Sequence, residues 1–414
     1  MPAFHKQYYE AMAAMFARCT ERSIDNINSG ISSGNGATSI NMESEFLSLG
    51  LDIIGLGVFN YDFASITTES PVIKAVYGVL KEAEHRSTFY IPYWNIPITR
   101  YIVPRQVKFN ADLVVINECL DQLIRGARET RQEEDFEALQ NRDYSQVKDP
   151  SLLRFLVDMR GEDATNKQLR DDLMTMLIAG HETTAAVLTW ALFELAQKPG
   201  YLAKVRAELD EVLGTPASGG PRVPGYEEVR RLTRTRLCVA ESLRLYPEPP
   251  LLIRRALDKV ELPQGGAAAV VTLPKGSDVF ISLYNIHRSP ALWGPTAGEF
   301  NPDRFLTSNP AVEAVPGWAG LEAYSPLTPE SPGSAPLYPT ETSSDFAFLP
   351  FGGGARKCIG DQFAVLESTV VLARLLQRYD FKLAGGAEEV GMQTGATIHT
   401  ANGLKMRVSR RAGW

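Results

Sequence analysis

The feature that most constrains the fold is a helical pattern of about thirty residues, from Lys167 to Lys198. Apolar side chains recur there at three- and four-residue intervals, and Pro199 supplies a stop. At 1.5 Å per residue, such a helix would be about 45 Å long, the width of a sizeable domain. We therefore expect it to run through the core of a large helical protein. The apolar positions are Leu169, Leu173, Met176, Leu177, Val187, Leu188, Ala191, Leu192 and Leu195.

The rest of the sequence predicts a mainly α protein with a small β portion. Helical patterns separated by polar loops fill the first half, and short strand patterns follow in the second half. No internal repeat is visible. The predicted elements are a loop at Asn28–Thr38, helices from Arg105 to about Gln132, from Tyr226 to Tyr246 and near Gly360–Tyr379, a strand at Asp278–Leu283, and a long surface loop over residues 306–345.

Composition and charge exclude several classes of protein. A hydrophobic fraction of 44% and a charged fraction of 22% are typical of a globular protein rather than a disordered or fibrous one. The net charge of −7 argues against nucleic acid as a partner, because phosphate binding requires clustered Lys and Arg. No apolar run approaches the roughly 20 residues that span a bilayer. Cys19, Cys119, Cys238 and Cys358 lie too far apart for a zinc motif and do not indicate a disulfide framework.

The segment FGGGARKCIG, residues 351–360, carries the strongest chemical signal. Its glycines let the backbone approach a ligand closely. Cys358 lies where a helix should begin, so that the helix dipole and nearby Arg356 would favour a thiolate. A low-pKa sulfur in such a loop suits a metal ligand, and it would equally suit a nucleophile. Alternatively, the segment is a glycine loop in which the cysteine has no chemical role. A phosphate-binding loop is excluded because no Gly-Lys-Ser/Thr follows.

A second segment, AGHETT at residues 179–184, lies in the middle of the long helical pattern. Gly180 and two threonines are poor helix formers, so they need a reason to be there. The Thr183 hydroxyl can bond to the Ala179 carbonyl, which would open the helix locally and leave room beside Gly180 for a small ligand. Glu182 and Thr183 could relay protons. A small-residue patch for helix packing explains the segment equally well.

Two further motifs supply charges that can form a network. ESLR places Glu241 and Arg244 one helical turn apart, and NPDRF adds Arg304. A glutamate held between two arginines can be buried without leaving an unpaired charge.

These four motifs, in this order, resemble the cytochrome P-450 superfamily. AGHETT resembles its oxygen-binding helix, ESLR its E-x-x-R motif, NPDRF its P-x-R-F motif and FGGGARKCIG its F-x-x-G-x-R-x-C-x-G loop. The resemblance implies the cytochrome P-450 fold, with haem b as the cofactor and Cys358 as the axial thiolate. It also implies that Phe351 shields the sulfur, that Arg356 and Arg254 pair with the propionates, with Arg255 close behind, and that Gly352 and Gly360 shape the loop.

The same resemblance assigns roles outside the cysteine loop. It implies that Glu182 and Thr183 deliver protons to bound oxygen, and that Glu241, Arg244 and Arg304 form a structural triad. An apolar substrate pocket would be lined by residues that include Ala179, Leu252, Thr397 and Ile398.

The similarity narrows to the plastid carotenoid-ring hydroxylases, family ninety-seven of the superfamily. The segments FYIPYWNIP, PPLLIRR, NIHRSP and TGATIHT carry it, and an insertion with GWAG and LYP resembles the B-type branch. This implies hydroxylation of a β-ionone ring in a plastid with O2 and two electrons, which a ferredoxin or a flavoprotein reductase would supply on the side of Arg356 and Lys357. Peripheral membrane contact is compatible with this assignment.

Family members carry a segment before the sequence PAFH, with early strands, part of the pocket wall and a W-x-x-x-R propionate contact. Residues 1–414 are therefore expected to form a catalytic domain that lacks its N-terminal part. Two alternatives remain open, a monooxygenase of another lipid such as a fatty acid or sterol, and a haem-free fragment without activity.

Overall fold

The computed structural model describes residues 6–34, 36–68, 71–129, 151–160, 165–262, 270–310, 315, 318–325 and 336–414. Its elements are mainly helices with short strands, which confirms the predicted fold class. The chain forms two compact units, one of Met1–Asn35 with Ser44–Ala185 and the other of Gly36–Glu43 with Ala186–Trp414.

The first unit is helical in its described parts. Its helices are Lys6–Ser33, most of Met42–Phe59, Pro71–Thr88, Thr99–Ile102, Pro104–Glu129, Leu152–Arg160 and the first part of Asn166–Gln197, with a 3-10 turn at Tyr93–Asn95.

The second unit combines helices with small antiparallel sheets. Its helices are the end of Asn166–Gln197, then Pro199–Leu213, Tyr226–Arg231, Thr233–Leu245, Leu283–Ile286, Pro290–Trp293, Asp361–Arg378 and Ala387–Val390. A three-stranded sheet has the order Ala37–Asn41, Lys405–Arg410, Tyr379–Leu383. Paired strands are Leu251–Arg255 with Asp278–Ser282, Val260–Leu262 with Val271–Leu273, Asn309–Pro310 with Gly320–Leu321, and Gln393–Thr394 with Ile398–His399.

The helix Asn166–Gln197, hereafter the central helix, matches the predicted bounds to within one residue at each end. Pro199 opens the next helix, which explains the stop. By length and apolar composition the central helix could cross a membrane, contrary to the expectation from the sequence. However, 61% of its most apolar window is buried inside the protein, as in a core helix.

The core of the second unit is built around two helices that contact each other, Thr233–Leu245 and Asp361–Arg378. From Thr235 to Leu245 every residue is buried, polar ones included. A helix that is buried on all sides must satisfy its polar side chains internally. This position explains why the charged residues of ESLR can form a buried network.

Two sequence predictions need correction. The predicted loop at Asn28–Thr38 is wrong over its first half, because the first helix continues to Ser33. Ile31 is buried there, and the hydroxyl of Ser33 bonds back to the Ser29 carbonyl at 3.0 Å. The predicted helix from Tyr226 to Tyr246 is in fact two helices, interrupted at Leu232.

The stretch 306–345, predicted to be a surface loop, contributes to the core where it is described. Trp318 and Tyr338 are buried, and the Trp318 Nε1 donates to the Ser344 carbonyl at 3.1 Å. Leu337 is also buried, and its carbonyl accepts from Arg236 Nη1 at 2.6 Å. Large apolar side chains therefore anchor the described parts of this stretch to the second unit.

Candidate functional site

The cysteine loop, residues 351–360, turns back on itself in the second unit. Gly352 and Gly354 have φ angles of +70° and +65°, which residues with a side chain rarely adopt. The Cys358 N–H donates to the Phe351 carbonyl at 2.8 Å and so closes the loop. Gly360 has an ordinary φ of −89° and precedes the helix that begins at Asp361. Glycine is therefore required by the backbone at the first of the two predicted positions but not at Gly360.

The direction of the pKa shift of the Cys358 thiol differs from the expectation from the sequence. Cys358 as a residue is exposed, but the atoms around its sulfur partly desolvate it. This desolvation raises the pKa of the Cys358 thiol, and the charge of Asp361 adds to this increase. A hydrogen bond from the Gly360 N–H and the charge of Lys357 act in the opposite direction. The loop by itself therefore does not produce the expected low pKa of the thiol. The effect of Lys357 is reduced because its Nζ pairs with Glu341 Oε2 at 2.9 Å and with Asp361 Oδ2 at 3.4 Å.

The surroundings of the loop fit a flat apolar ring with two carboxylates. The strand Leu251–Arg255 lies beside the loop, since a Cβ on Gly352 would be 3.8 Å from the Leu252 Cδ1. Exposed large apolar side chains are normally scattered, but on this strand and its partner they are concentrated. These exposed side chains are Leu251, Ile253 and Phe280, and Ile359 is exposed within the loop itself.

Cations that could pair with carboxylates lie in the same region. Arg254 donates to the Ile253 carbonyl at 2.9 Å, and its side chain is exposed. The Arg356 side chain is exposed and makes no hydrogen bond or ion pair with any residue that the structure describes. Arg255, by contrast, is held by both Asp278 oxygens at 2.7 and 2.8 Å. Arg254 is thus a better candidate for a propionate than Arg255.

The structure brings Glu241, Arg244 and Arg304 together. Glu241 accepts from Arg244 Nε at 2.7 Å and Nη2 at 2.8 Å, and from Arg304 Nε at 2.9 Å. Glu241 and Arg244 are 0% exposed. The remaining Arg244 donors reach the carbonyls of His287, Ala297 and Glu299 at 2.5, 2.6 and 3.0 Å. The network therefore joins one helix to two separate loop segments.

His287 links this network to the segment before the cysteine loop. Its Nε2 accepts from the Leu349 N–H at 2.8 Å, which requires a neutral ring. Burial, with a further contribution from the charge of Arg244, lowers the pKa of His287 from 6.5 to about 3. No role for His287 was assigned from the sequence, although it lies in NIHRSP.

His287 should make the protein sensitive to acid. Because its folded pKa lies below the unfolded value, the unfolded state binds the extra proton, and stability falls as the pH drops from 6.5 towards 3. Between about pH 7.5 and about pH 5.5 we expect a loss of about 1.4 kcal/mol from this residue. His287→Gln, which can still accept from Leu349, should remove that part of the loss in urea unfolding. An unchanged pH dependence in the variant would contradict this role.

The AGHETT residues lie in the first unit, on the unbroken central helix. The Thr183 Oγ1 donates to the Ala179 carbonyl at 2.7 Å, as the sequence suggested. The space beside Gly180 is different from the prediction, since a Cβ there would be 2.2 Å from Ile54 Cδ1. Gly180 thus allows the helix Met42–Phe59 to pack closely against the central helix. For this residue the structure favours a role in helix packing over space for a ligand. Glu182 and Thr183 are both half-buried.

The residues predicted to line a substrate pocket have different surroundings. Ala179 is exposed in the first unit, and Leu252 is half-buried in the second. Thr397 and Ile398 are buried, and the Ile398 backbone is bonded to Glu248 Oε2 at 2.8 Å and Trp190 Nε1 at 2.7 Å. That these residues contact a substrate stays a prediction.

Comparison with known proteins identifies the family of the chain. The family model for cytochrome P450 matches residues 1–404. The chain is 58% identical to cytochrome P450 97B2 of Glycine max, a chloroplast protein, over 99% of the chain and 70% of the relative. It is 43% identical to the chloroplast protein LUTEIN DEFICIENT 5 of Arabidopsis thaliana, over 99% of the chain and 61% of the relative.

A carotene ε-monooxygenase from the chloroplast of Arabidopsis thaliana is 42% identical over 99% of the chain and 68% of the relative. The chain thus spans between 61% and 70% of the length of these three relatives. Since the family model covers nearly the whole chain, the chain belongs to the cytochrome P450 family, the family of haem-b monooxygenases.

Proposed function

We propose that the chain hydroxylates the β-ionone ring of a carotenoid in a plastid, using O2 and two electrons. The observation that carries the substrate class is the 42% identity, over 99% of the chain, to a carotene ε-monooxygenase. All three relatives named above are chloroplast proteins, which supports the location. When bound, haem supplies the activation of O2 and the insertion of one oxygen atom into a C–H bond.

The residues of this chain bind and orient that group. Cys358 would supply the sulfur that binds the haem iron, and the Gly360 N–H donates a hydrogen bond to that sulfur. The guanidinium groups of Arg254 and Arg356 would pair with the haem propionates. This assignment is supported by the unpaired, exposed state of Arg356 among the described residues.

In this proposal Glu182 and Thr183 deliver protons to the site of oxygen binding. The Thr183 hydroxyl is held by the Ala179 carbonyl, which fixes its oxygen as a hydrogen-bond acceptor. Glu182 carries a carboxylate one residue away and can pass a proton to that oxygen through water. Thr183→Ala should therefore uncouple electron use from product formation.

A carotenoid is dissolved in a membrane, and the first unit has a surface suited to one. We call residues 89–102 the apolar stretch. Glu82 holds the Tyr93 side chain of this stretch by accepting from its hydroxyl at 2.9 Å, and it also accepts from Nε of Arg105, just beyond the stretch, at 3.0 Å. Arg100 lies over the Tyr101 ring, a combination that suits the lipid headgroup region. The exposed apolar side chains are Phe89, Tyr90, Ile91, Ile96, Ile98, Tyr101 and Ile102.

Substitutions in the apolar stretch should weaken membrane binding. Ile98→Ser with Ile102→Ser removes two exposed apolar side chains, and we expect at least about a tenfold loss in partitioning to vesicles of plastid lipids. Leu257→Ser is the control, since Leu257 is 78% exposed but lies in the second unit, outside the apolar stretch. Equal losses in both variants, or none in either, would rule out the stretch as the contact.

Expression in bacteria that accumulate β-carotene tests the function directly. Hydroxylated carotenoids should appear with the wild-type chain, haem and an electron donor, either ferredoxin with its reductase or a flavoprotein reductase. They should be absent with Cys358→Ala. Turnover of a fatty acid or sterol instead would replace the substrate assignment. Protein that folds without binding haem would show that this chain is not an enzyme by itself.

A further inference from the structure

Two side chains of residues 336–346, a segment that ends four residues before the cysteine loop, contact the loop and the helix that follows it. Tyr338 is 1% exposed, and its hydroxyl donates to Asp361 Oδ2 at 2.8 Å. Its ring lies 4.9 Å from the ring of Phe351 at an angle of 63°. Phe351 in turn accepts the Cys358 N–H through its carbonyl.

Glu341 makes the second connection. Its Oε2 accepts from Lys357 Nζ at 2.9 Å, and the same ammonium is 3.4 Å from Asp361 Oδ2 and 5.7 Å from the centre of the Tyr338 ring. The four side chains form one cluster, which we call the latch: Tyr338, Glu341, Lys357 and Asp361. Through Phe351, Lys357 and Asp361 the latch holds the loop before and after Cys358.

The loop needs such support because its own backbone is permissive. Four of its ten residues are glycine, and each glycine adds conformational freedom that must be removed to hold one geometry. Cys358 is also exposed, so its side chain is not fixed by surrounding core atoms. Groups that support a metal ligand typically change metal affinity by about 10- to 100-fold when they are removed.

We propose that Tyr338 and Glu341 are positioning residues that hold Cys358 in the geometry required for the axial sulfur. Tyr338 acts through the Phe351 ring and Asp361, and Glu341 acts through Lys357. The proposal rests on haem binding by this family and is independent of the carotenoid substrate, so each can fail without the other.

The test compares Tyr338→Leu with Tyr379→Leu in the haem-loaded chain. Tyr379 is also 1% exposed and also pairs with a phenylalanine, Phe381 at 6.2 Å. It follows the far end of the helix Asp361–Arg378, about 27 Å along the axis from Asp361. Both variants should lower the melting temperature by removing a buried ring.

Only Tyr338→Leu should speed the conversion of the reduced carbon-monoxide complex from its thiolate to its thiol spectrum. The expected change is about 2- to 10-fold, the factor that corresponds to one lost aromatic pair. Tyr338→Phe keeps the ring contact with Phe351 but loses the hydrogen bond to Asp361, so its rate should lie between those of the wild type and Tyr338→Leu. Equal rates in Tyr338→Leu and Tyr379→Leu would overturn the role of Tyr338.

Glu341→Gln tests the other half of the latch by reduction potential. Loss of the carboxylate leaves the charge of Lys357 less compensated beside Cys358, so the potential of the iron should rise. An unchanged potential with an unchanged conversion rate would overturn the role of Glu341.

If the chain retains no haem, alkylation of Cys358 by a maleimide replaces the spectrum. The background is Cys119→Ala, because Cys19 and Cys238 are buried. Faster alkylation is then expected in Tyr338→Leu than in Tyr379→Leu, and equal rates would overturn the proposal.

Discussion

Replacing Cys358 with alanine is expected to abolish the red-shifted Soret band of the reduced carbon-monoxide complex while leaving the protein folded. The sulfur is the only atom in the loop suited to haem iron, and carotenoid hydroxylation should fall by more than about 100-fold, the upper effect of removing a group that merely supports a ligand. Cys358 is exposed, so the free energy of unfolding without haem should change by no more than about 0.5 kcal/mol.

Cys119→Ala is the matched control for this result. Cys119 is the other cysteine that is not fully buried, and it lies in the helix Pro104–Glu129 of the first unit. The control should keep the red-shifted band. A band that survives in Cys358→Ala, or disappears in Cys119→Ala, would remove Cys358 as the ligand.

The sequence predicted best the features that depend on local pattern. The sequence predicts both ends of the central helix to within one residue, because the apolar repeat and Pro199 are both local signals. The pairing of Glu241 with Arg244 also followed from their spacing of three residues. Arg304 joins that pair although it is sixty-three residues away from Glu241, and it was identified through a family motif rather than through spacing.

Features that depend on distant partners could not be predicted in this way. The interruption at Leu232 is stabilised by Glu208, which belongs to the preceding long helix. Its carboxylate accepts the N–H groups of Arg234 at 2.7 Å and Thr235 at 3.0 Å, and so caps the next helix. A carboxylate twenty-six residues earlier is not a local capping signal. The contact between Gly180 and Ile54 is of the same kind.

The electrostatics of the cysteine loop were misjudged for a related reason. The sequence places Arg356 and Lys357 next to Cys358 and therefore suggests a low pKa for the thiol. The structure adds Glu341 and Asp361, which pair with Lys357, and burial of the sulfur raises the pKa. Neighbours in sequence reveal the charges near a group, but they do not reveal which of those charges are already neutralised.

Removal of Glu241 should have the largest effect on stability. Glu241→Ala leaves the Arg244 guanidinium without its counter-charge at a position that is 0% exposed, and it also removes a partner of Arg304. Breaking a buried ion pair by removing one partner typically costs about 3–5 kcal/mol. We expect a loss in this range from urea unfolding followed by circular dichroism. Glu241→Gln, which keeps an acceptor oxygen but not the charge, should lie between the wild type and the alanine variant.

Comparing Arg255→Ala with Glu241→Ala separates the effect of burial on stability from the effect of ion-pair geometry. The Arg255 Nε to Asp278 distance is 2.7 Å, the same as that between Arg244 Nε and Glu241. The Arg255 side chain is 66% exposed, however, and solvent-exposed pairs contribute little to stability because water screens their charges. Two pairs with equal distances should thus differ several-fold in their effect on unfolding. If the two alanine variants lose similar free energies, burial does not set the contribution of the triad to fold stability.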